Sequence, residues 1–185
     1  MKHARKTSKR MRIVIGGTVA GAVALGTFAV VTANAGSAGT IAPRAEAAGE
    51  NLARSTHLTV EAATKAARAT LDAAEKENQR VSVAVVDRDG NTVVTLRGDG
   101  AGPQSYESAV KKAYTAVSWN APTSELVERL ENAPTLKDIP HTLFLGGGAP
   151  VTAKGAPIAG IGVAGAPSGD LDEKFARAGA AVLNK

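Results

Sequence analysis

Few side chains in this sequence are strong candidates to hold a metal. His57 and His141 offer imidazoles, and Tyr106 and Tyr114 offer phenols. His57 stands just ahead of a helical pattern and His141 follows Pro140 at an expected strand start; a lone histidine is more often structural or solvated than a ligand. Tyr106 and Tyr114 share the apolar side of a helix, where core packing is the plainer reading. On the same helix Ser108, Lys111, Lys112 and Thr115 fall at spacings that gather them on the opposite side, with Trp119 one turn on. Carboxylates come in pairs. Glu125 with Glu128, and Glu128 with Glu131, are three residues apart and share a helix side. Such pairs could hold ferric or ferrous iron through hard oxygen ligands. Asp170 and Glu173 offer another pair. The simpler alternatives are an ion pair from Glu125 to Arg129 and a helix cap at Asp170.

Absences narrow the chemistry. The chain has no cysteine, and both methionines, Met1 and Met11, fall in an N-terminal segment that reads as a leader. The remainder therefore offers no thiolate zinc site, no iron–sulfur cluster, no cysteine nucleophile and no sulfur ligand for an iron porphyrin. Gly160-x-Gly162-x-x-Gly165 spells a dinucleotide fingerprint, but no βαβ pattern follows it. Those glycines fit close strand packing better. Arg97-Gly98-Asp99 spells an integrin tripeptide, a weak signal on its own. No serine sits in a nucleophile-elbow pattern, and no acid–base constellation stands out.

The leader is read from its three parts. Residues 1–12 carry Lys2, Arg5, Lys6, Lys9, Arg10 and Arg12 with no acid; Ile13 to Val31 is uncharged; Ala33-Asn34-Ala35 closes it with a small-x-small site. This predicts a secretory signal peptide over 1–35, taken by the general route because no Arg-Arg pair adjoins the apolar stretch. An uncleaved membrane anchor is the rival reading. Both place the rest outside the cell, secreted or at its surface. The whole chain carries a net charge of +5. Without the leader, sixteen basic residues face seventeen acidic ones. The basic balance belongs to the leader and gives no support for a nucleic-acid partner.

The elements that must position these residues follow. Residues 36–56 lack an apolar rhythm and read as a flexible tail before a domain over 57–185. Thr59 caps a helix whose Val60, Ala63, Ala67, Leu71 and Ala74 share a face. Val81 to Val86 and Thr92 to Leu96 form a hairpin through Asp89-Gly90. A helix runs from Pro103, and a third starts at Pro122. Thr142 to Leu145, Pro150 to Ala153 and Pro157 to Ala164 read as strands, and Leu171, Phe175, Ala178 and Val182 face inward from a closing helix. The order α-β-β-α-α-β-β-β-α predicts an α+β domain with a mainly antiparallel sheet of about five strands and helices packed on it. A small domain with few aromatics gains from burying helix faces between subunits, which predicts a homo-oligomer.

Val81-Ser82-Val83-Ala84-Val85-Val86-Asp87 with Asp89-Gly90 resembles the first hairpin of the GlcG/HbpS family. Lys111-Lys112-Ala113-Tyr114-Thr115-Ala116 with Pro122-Thr123 resembles its central helices. Gly147-Gly148-Ala149-Pro150-Val151 and Gly160-Ile161-Gly162-Val163-Ala164-Gly165 resemble its closing strands. The match begins near Leu58. The family includes the C-terminal domain of PduO-type proteins and implies a profilin-like fold. The leader points to the HbpS branch. That branch implies heme binding and iron binding outside the cell, a symmetric oligomer (an octamer), and communication of redox stress to a membrane sensor kinase. On this resemblance Lys111, Lys112 and Thr115 are expected to line a groove on the central helix, with Ser108, Tyr114 and Trp119 beside them. The lysines would meet heme propionates, and Thr115 could be a weak oxygen ligand. His57, His141, Glu125 and Glu128 are the metal candidates. An enzyme of heme or corrinoid metabolism and a structural oligomer without a ligand are the alternatives.

Overall fold

Val81, Val83 and Val85 point to one side of their strand, and Ser82, Ala84 and Val86 to the other; all six are buried. A strand covered on both faces belongs inside a sheet with layers above and below it. The computed structural model describes residues 45–184. In it this strand, β1 (Ser82–Asp87), is central in a four-stranded sheet with β2 (Thr92–Arg97), β3 (Gly148–Ala153) and β4 (Ala156–Ala164). The sheet order is β2-β1-β4-β3 and every pairing is antiparallel.

One face of the sheet carries α1 (Val60–Lys76) and α4 (Gly169–Ala181). Ala63, Ala66, Ala67, Leu71 and Ala74 of α1 and Phe175 and Ala176 of α4 close on Val81, Val83, Val85, Ile161 and Val163. The Thr59 hydroxyl accepts from Ala62 N at 3.1 Å, the expected cap. The cap of α4 is Ser168, which accepts from Leu171 N at 3.2 Å, and not the Asp170 arrangement read from the sequence.

The other face carries α2 (Pro103–Trp119), followed by the short α3 (Thr123–Glu128). Ala109 and Ala113 of α2 pack over Ala84 and Val86. A methyl group on Gly160 would meet the Ala113 carbonyl, and one on Gly162 the Ala109 carbonyl. The glycines of the dinucleotide-like spelling therefore let a helix backbone lie directly on β4.

The α+β class and the antiparallel sheet stand, with four strands in place of about five. Thr142 to Leu145 makes no ladder. Pro140 has no N–H to give, His141 is left-handed at φ +67°, and Leu143 N donates to the Thr115 hydroxyl instead. Ahead of α1, the described residues make one short 3₁₀ turn, Gly49–Asn51. The expected signal peptide and residues 36–44 of the expected tail lie outside the described residues. Among the described residues no helix is long and apolar enough to cross a membrane.

Candidate functional site

Tyr106, Val110 and Tyr114 are four residues apart and align along one side of α2. The glycines of β4 leave room only for the alanine side of the helix. The bulky stripe is therefore turned outward, and Tyr106 is 46% exposed. With Glu107 and Lys111 it forms one wall of a groove of about 500 Å³. Gly90 and Thr92 of the β1–β2 hairpin and His141 of the loop before β3 complete it.

The hairpin wall is held by its own turn. The Asp87 carboxylate accepts from Asp89 N at 2.9 Å and Asn91 N at 2.8 Å. Gly90 sits at φ +87°, and a side chain there would stand 2.8 Å from the Tyr114 ring. The ring thus lies against the turn, and Gly90 is required by both backbone and ring.

His141 occupies an unusual backbone position. Thr142 N donates to Ile139 O at 3.3 Å, and the Thr142 hydroxyl donates to the same oxygen at 2.8 Å. Pro140 and the left-handed His141 are the two central residues of that turn, a type II arrangement that favours glycine or asparagine in the second place. A non-glycine residue there costs about 1–2 kcal/mol. Strain of this kind gathers at functional sites. The imidazole stands edge-on to Tyr114, with ring centres 6.1 Å apart. Lys111 lies 3.9 Å from Glu107, and both are exposed, so the ammonium can change partners at little cost.

The structure brings Lys111, Tyr114 and His141 together and separates them from the other expected groove residues. Lys112 is buried, with its ammonium 2.8 Å from Asp172 and donating to Val163 O at 3.0 Å. Burial pushes the Asp172 carboxyl above its ordinary value, and hydrogen bonds from Lys112 and Ala166 offset only part of that. Thr115 is also buried. Its hydroxyl donates to Lys111 O and accepts from Leu143 N, both at 2.8 Å. Lys112 and Thr115 are thus consumed by internal contacts and do not line the groove. Ser108 is half-buried outside the groove, and Trp119 packs edge-on to Phe144 at 5.2 Å.

Tyr106, which its apolar spacing assigns to the core, lines the groove, as do Glu107, Val110, Gly90 and Thr92, whose sequence positions alone do not mark them. The signal available was Pro140-His141 as a turn, together with glycines on β4 that exclude large helix residues.

Glu125 and Glu128 are exposed on α3, away from the groove. Among the described residues, the group of three close enough to share an ion is His57, Asp87 and Asp89. His57 Nε2 is 3.5 Å from Asp89 and Nδ1 is 3.9 Å from Asp87. Partial burial alone would raise the Asp87 carboxyl; hydrogen bonds from Asn91 and Asp89 and the nearby His57 outweigh it and hold it below its ordinary value. A second cleft of about 420 Å³, lined by Leu71, Glu75, Asn78, Gln79, Arg80, Gly98 and Asp99, offers neither imidazole nor aromatic wall.

The sequence and fold have relatives among known proteins. A protein of Citrobacter freundii, an uncharacterized 15.0 kDa product, is 34% identical over 113 residues, covering 58% of this chain and 80% of its own length. The corrinoid adenosyltransferase PduO of Salmonella typhimurium is 32% identical over 122 residues, 63% of this chain, and these span only 36% of PduO. The crystal structure of a double mutant of HbpS from Streptomyces reticuli is 77% identical with a TM-score of 0.75, covering 78% of this chain and 98% of that one. The crystal structure of a PduOC:heme complex is 28% identical with a TM-score of 0.64, covering 70% and 96%. The family described as haem-degrading protein HbpS-like matches residues 58–181. This chain belongs to the HbpS-like family, with PduO-type proteins among its relatives.

Proposed function

We propose that this protein binds heme in the groove between α2 and the β1–β2 hairpin, with His141 as the iron ligand and Lys111 meeting a propionate. The observation that carries this is the placement of an exposed, backbone-strained imidazole at the mouth of an aromatic-walled groove. A porphyrin needs an apolar slot, an axial donor and a cation for its carboxylates. Tyr106, Val110 and Tyr114 supply the first, His141 the second and Lys111 the third. The volume lies within the usual range for small-molecule sites, about 300–1,000 Å³. Heme in the complex of the PduO relative supports the same ligand here. An absorbance titration with hemin tests this: the expected result is a saturable Soret shift, and the reading fails if the spectrum only adds free hemin.

The same reading assigns iron binding to two places: His57, Asp87 and Asp89 beside the hairpin, and the exposed Glu125 and Glu128 pair on α3. A nitrogen and two carboxylates suit ferrous iron. Export from the cell, assembly into an octamer and communication with a membrane sensor kinase in redox stress extend the proposal. High identity to HbpS supports them. The family description, haem-degrading, favours one further reading in which bound heme is turned over. Hemin-loaded protein given a reductant and dioxygen would then yield bilin-type products, whose new oxygens come from dioxygen, and free iron.

A further inference from the structure

We infer that Thr115 is a positioning residue for His141, acting from beneath the groove through the loop that carries the imidazole; this rests on the heme reading above. The Thr115 hydroxyl has two partners on two different elements. It donates to Lys111 O within α2 and accepts from Leu143 N, two residues past His141, each at 2.8 Å. Thr115 is fully buried, so no water replaces either bond. Leu143 N has no strand partner, because Thr142 to Leu145 joins no ladder. One side-chain oxygen therefore ties this loop to the helix that forms the groove wall.

The tie matters because of where His141 sits. Its left-handed backbone is unfavourable for a residue with a Cβ, and the turn from Ile139 to Thr142 has to be held by its surroundings. On the N-terminal side Pro140 fixes one backbone angle. On the C-terminal side the next backbone N–H bonded to another element is that of Leu143. The edge contact of His141 with Tyr114, one residue before Thr115 on α2, adds a second register mark between the same two elements. Thr115 thus sets the height of the imidazole over the groove without touching a ligand. The same arrangement accounts for a hydroxyl at the foot of the Lys-Lys-Ala-Tyr-Thr run: it aims the histidine.

The test compares Thr115→Val, which keeps shape and removes the hydroxyl, with Thr115→Ser, which keeps the hydroxyl. In ligand-free protein, NMR is expected to show lost exchange protection at the Leu143 amide and a weakened His141–Tyr114 proximity signal in Thr115→Val. Thr115→Ser is expected to restore both. With hemin, Thr115→Val is expected to bind about tenfold more weakly and to lose the imidazole-ligated spectral signature, which Thr115→Ser recovers. Unchanged Leu143 protection and an unchanged His141–Tyr114 signal in Thr115→Val would overturn the inference, even if wild-type protein bound no hemin. A wild-type protein without hemin binding whose Leu143 protection still depends on the hydroxyl would overturn the heme reading and leave the positioning role supported.

Discussion

Lys111 and Lys112 are neighbours in sequence and opposites in structure. Lys111 is about half exposed over the groove with a loose contact to Glu107 at 3.9 Å. Lys112 is almost fully buried, 2.8 Å from Asp172. One residue of helix turns a side chain by about 100°, and that rotation decides the role of each lysine. The Lys112 side faces β4 and α4, where a charge without a partner would be costly. The Lys111 side faces solvent, where an ammonium remains free to meet an anion. Residue type alone does not separate a buried, paired cation from an exposed one; the layer lying against each side of α2 does.

Breaking the buried side should have the largest effect. Lys112→Met leaves Asp172 buried without its cation and is expected to cost about 3–5 kcal/mol. Calorimetry at neutral pH should show a fall in Tm on the order of 10 °C. The loss should shrink in acid. The Asp172 carboxyl is already raised in the folded state, so its protonated form is favoured there, and the penalty grows as pH rises through that raised value. A Lys112→Met protein as stable as wild type at pH 8 would refute the structural role.

The exposed side should show the reverse pattern. Lys111→Glu is expected to weaken hemin binding about tenfold, or about 1.4 kcal/mol, and to move stability by no more than about 0.5 kcal/mol. Titration with hemin dimethyl ester, which keeps the iron and lacks free carboxylates, should erase the difference from wild type. If Lys111→Glu unfolds the protein, the contrast between the two lysines is wrong.

A smaller effect tests the strained turn. His141→Gly is expected to raise stability by about 1 kcal/mol by relieving the left-handed backbone, while the imidazole signature of bound hemin is lost. Denaturant titration and absorbance together check both halves. The smallest effect concerns Glu173. Burial would raise its carboxyl, but Arg177, Ser124 and Gly147 outweigh burial and hold it below the ordinary 4.5. Its folded value is depressed, so its contribution is present above 4.5 and is lost as pH falls through the lower folded value. Glu173→Gln should flatten the acid limb of the Tm profile, and an unaltered limb would argue against that coupling.

Much of the fold could be read from periodicity. The β-branched run from Val81 to Val86, the Asp89-Gly90 turn and the spacing in α1 and α4 are local signals, and each element forms where they lie. The groove was harder to read because it depends on what α2 rests against. Alanines at 109 and 113 and tyrosines at 106 and 114 look like a single apolar face until Gly160 and Gly162 show that only alanines fit beneath. Lys112 reads as a groove cation in the sequence because its partner, Asp172, is sixty residues away. Thr142 to Leu145 had strand composition, yet Pro140 and the Thr115 hydroxyl claim its backbone. His57 stands alone in the sequence; its partners Asp87 and Asp89 come to it only when the hairpin folds beside the start of α1.

The central claim is that heme iron sits at His141 in the groove walled by Tyr106, Val110 and Tyr114. A hemin-soaked crystal measured at the iron absorption edge tests this directly. The account predicts an anomalous peak within bonding distance of the His141 imidazole, with the macrocycle along the tyrosine stripe and a propionate at Lys111. Iron and porphyrin found instead in the cleft between Leu71 and Asp99, with the His141 groove empty, would contradict it.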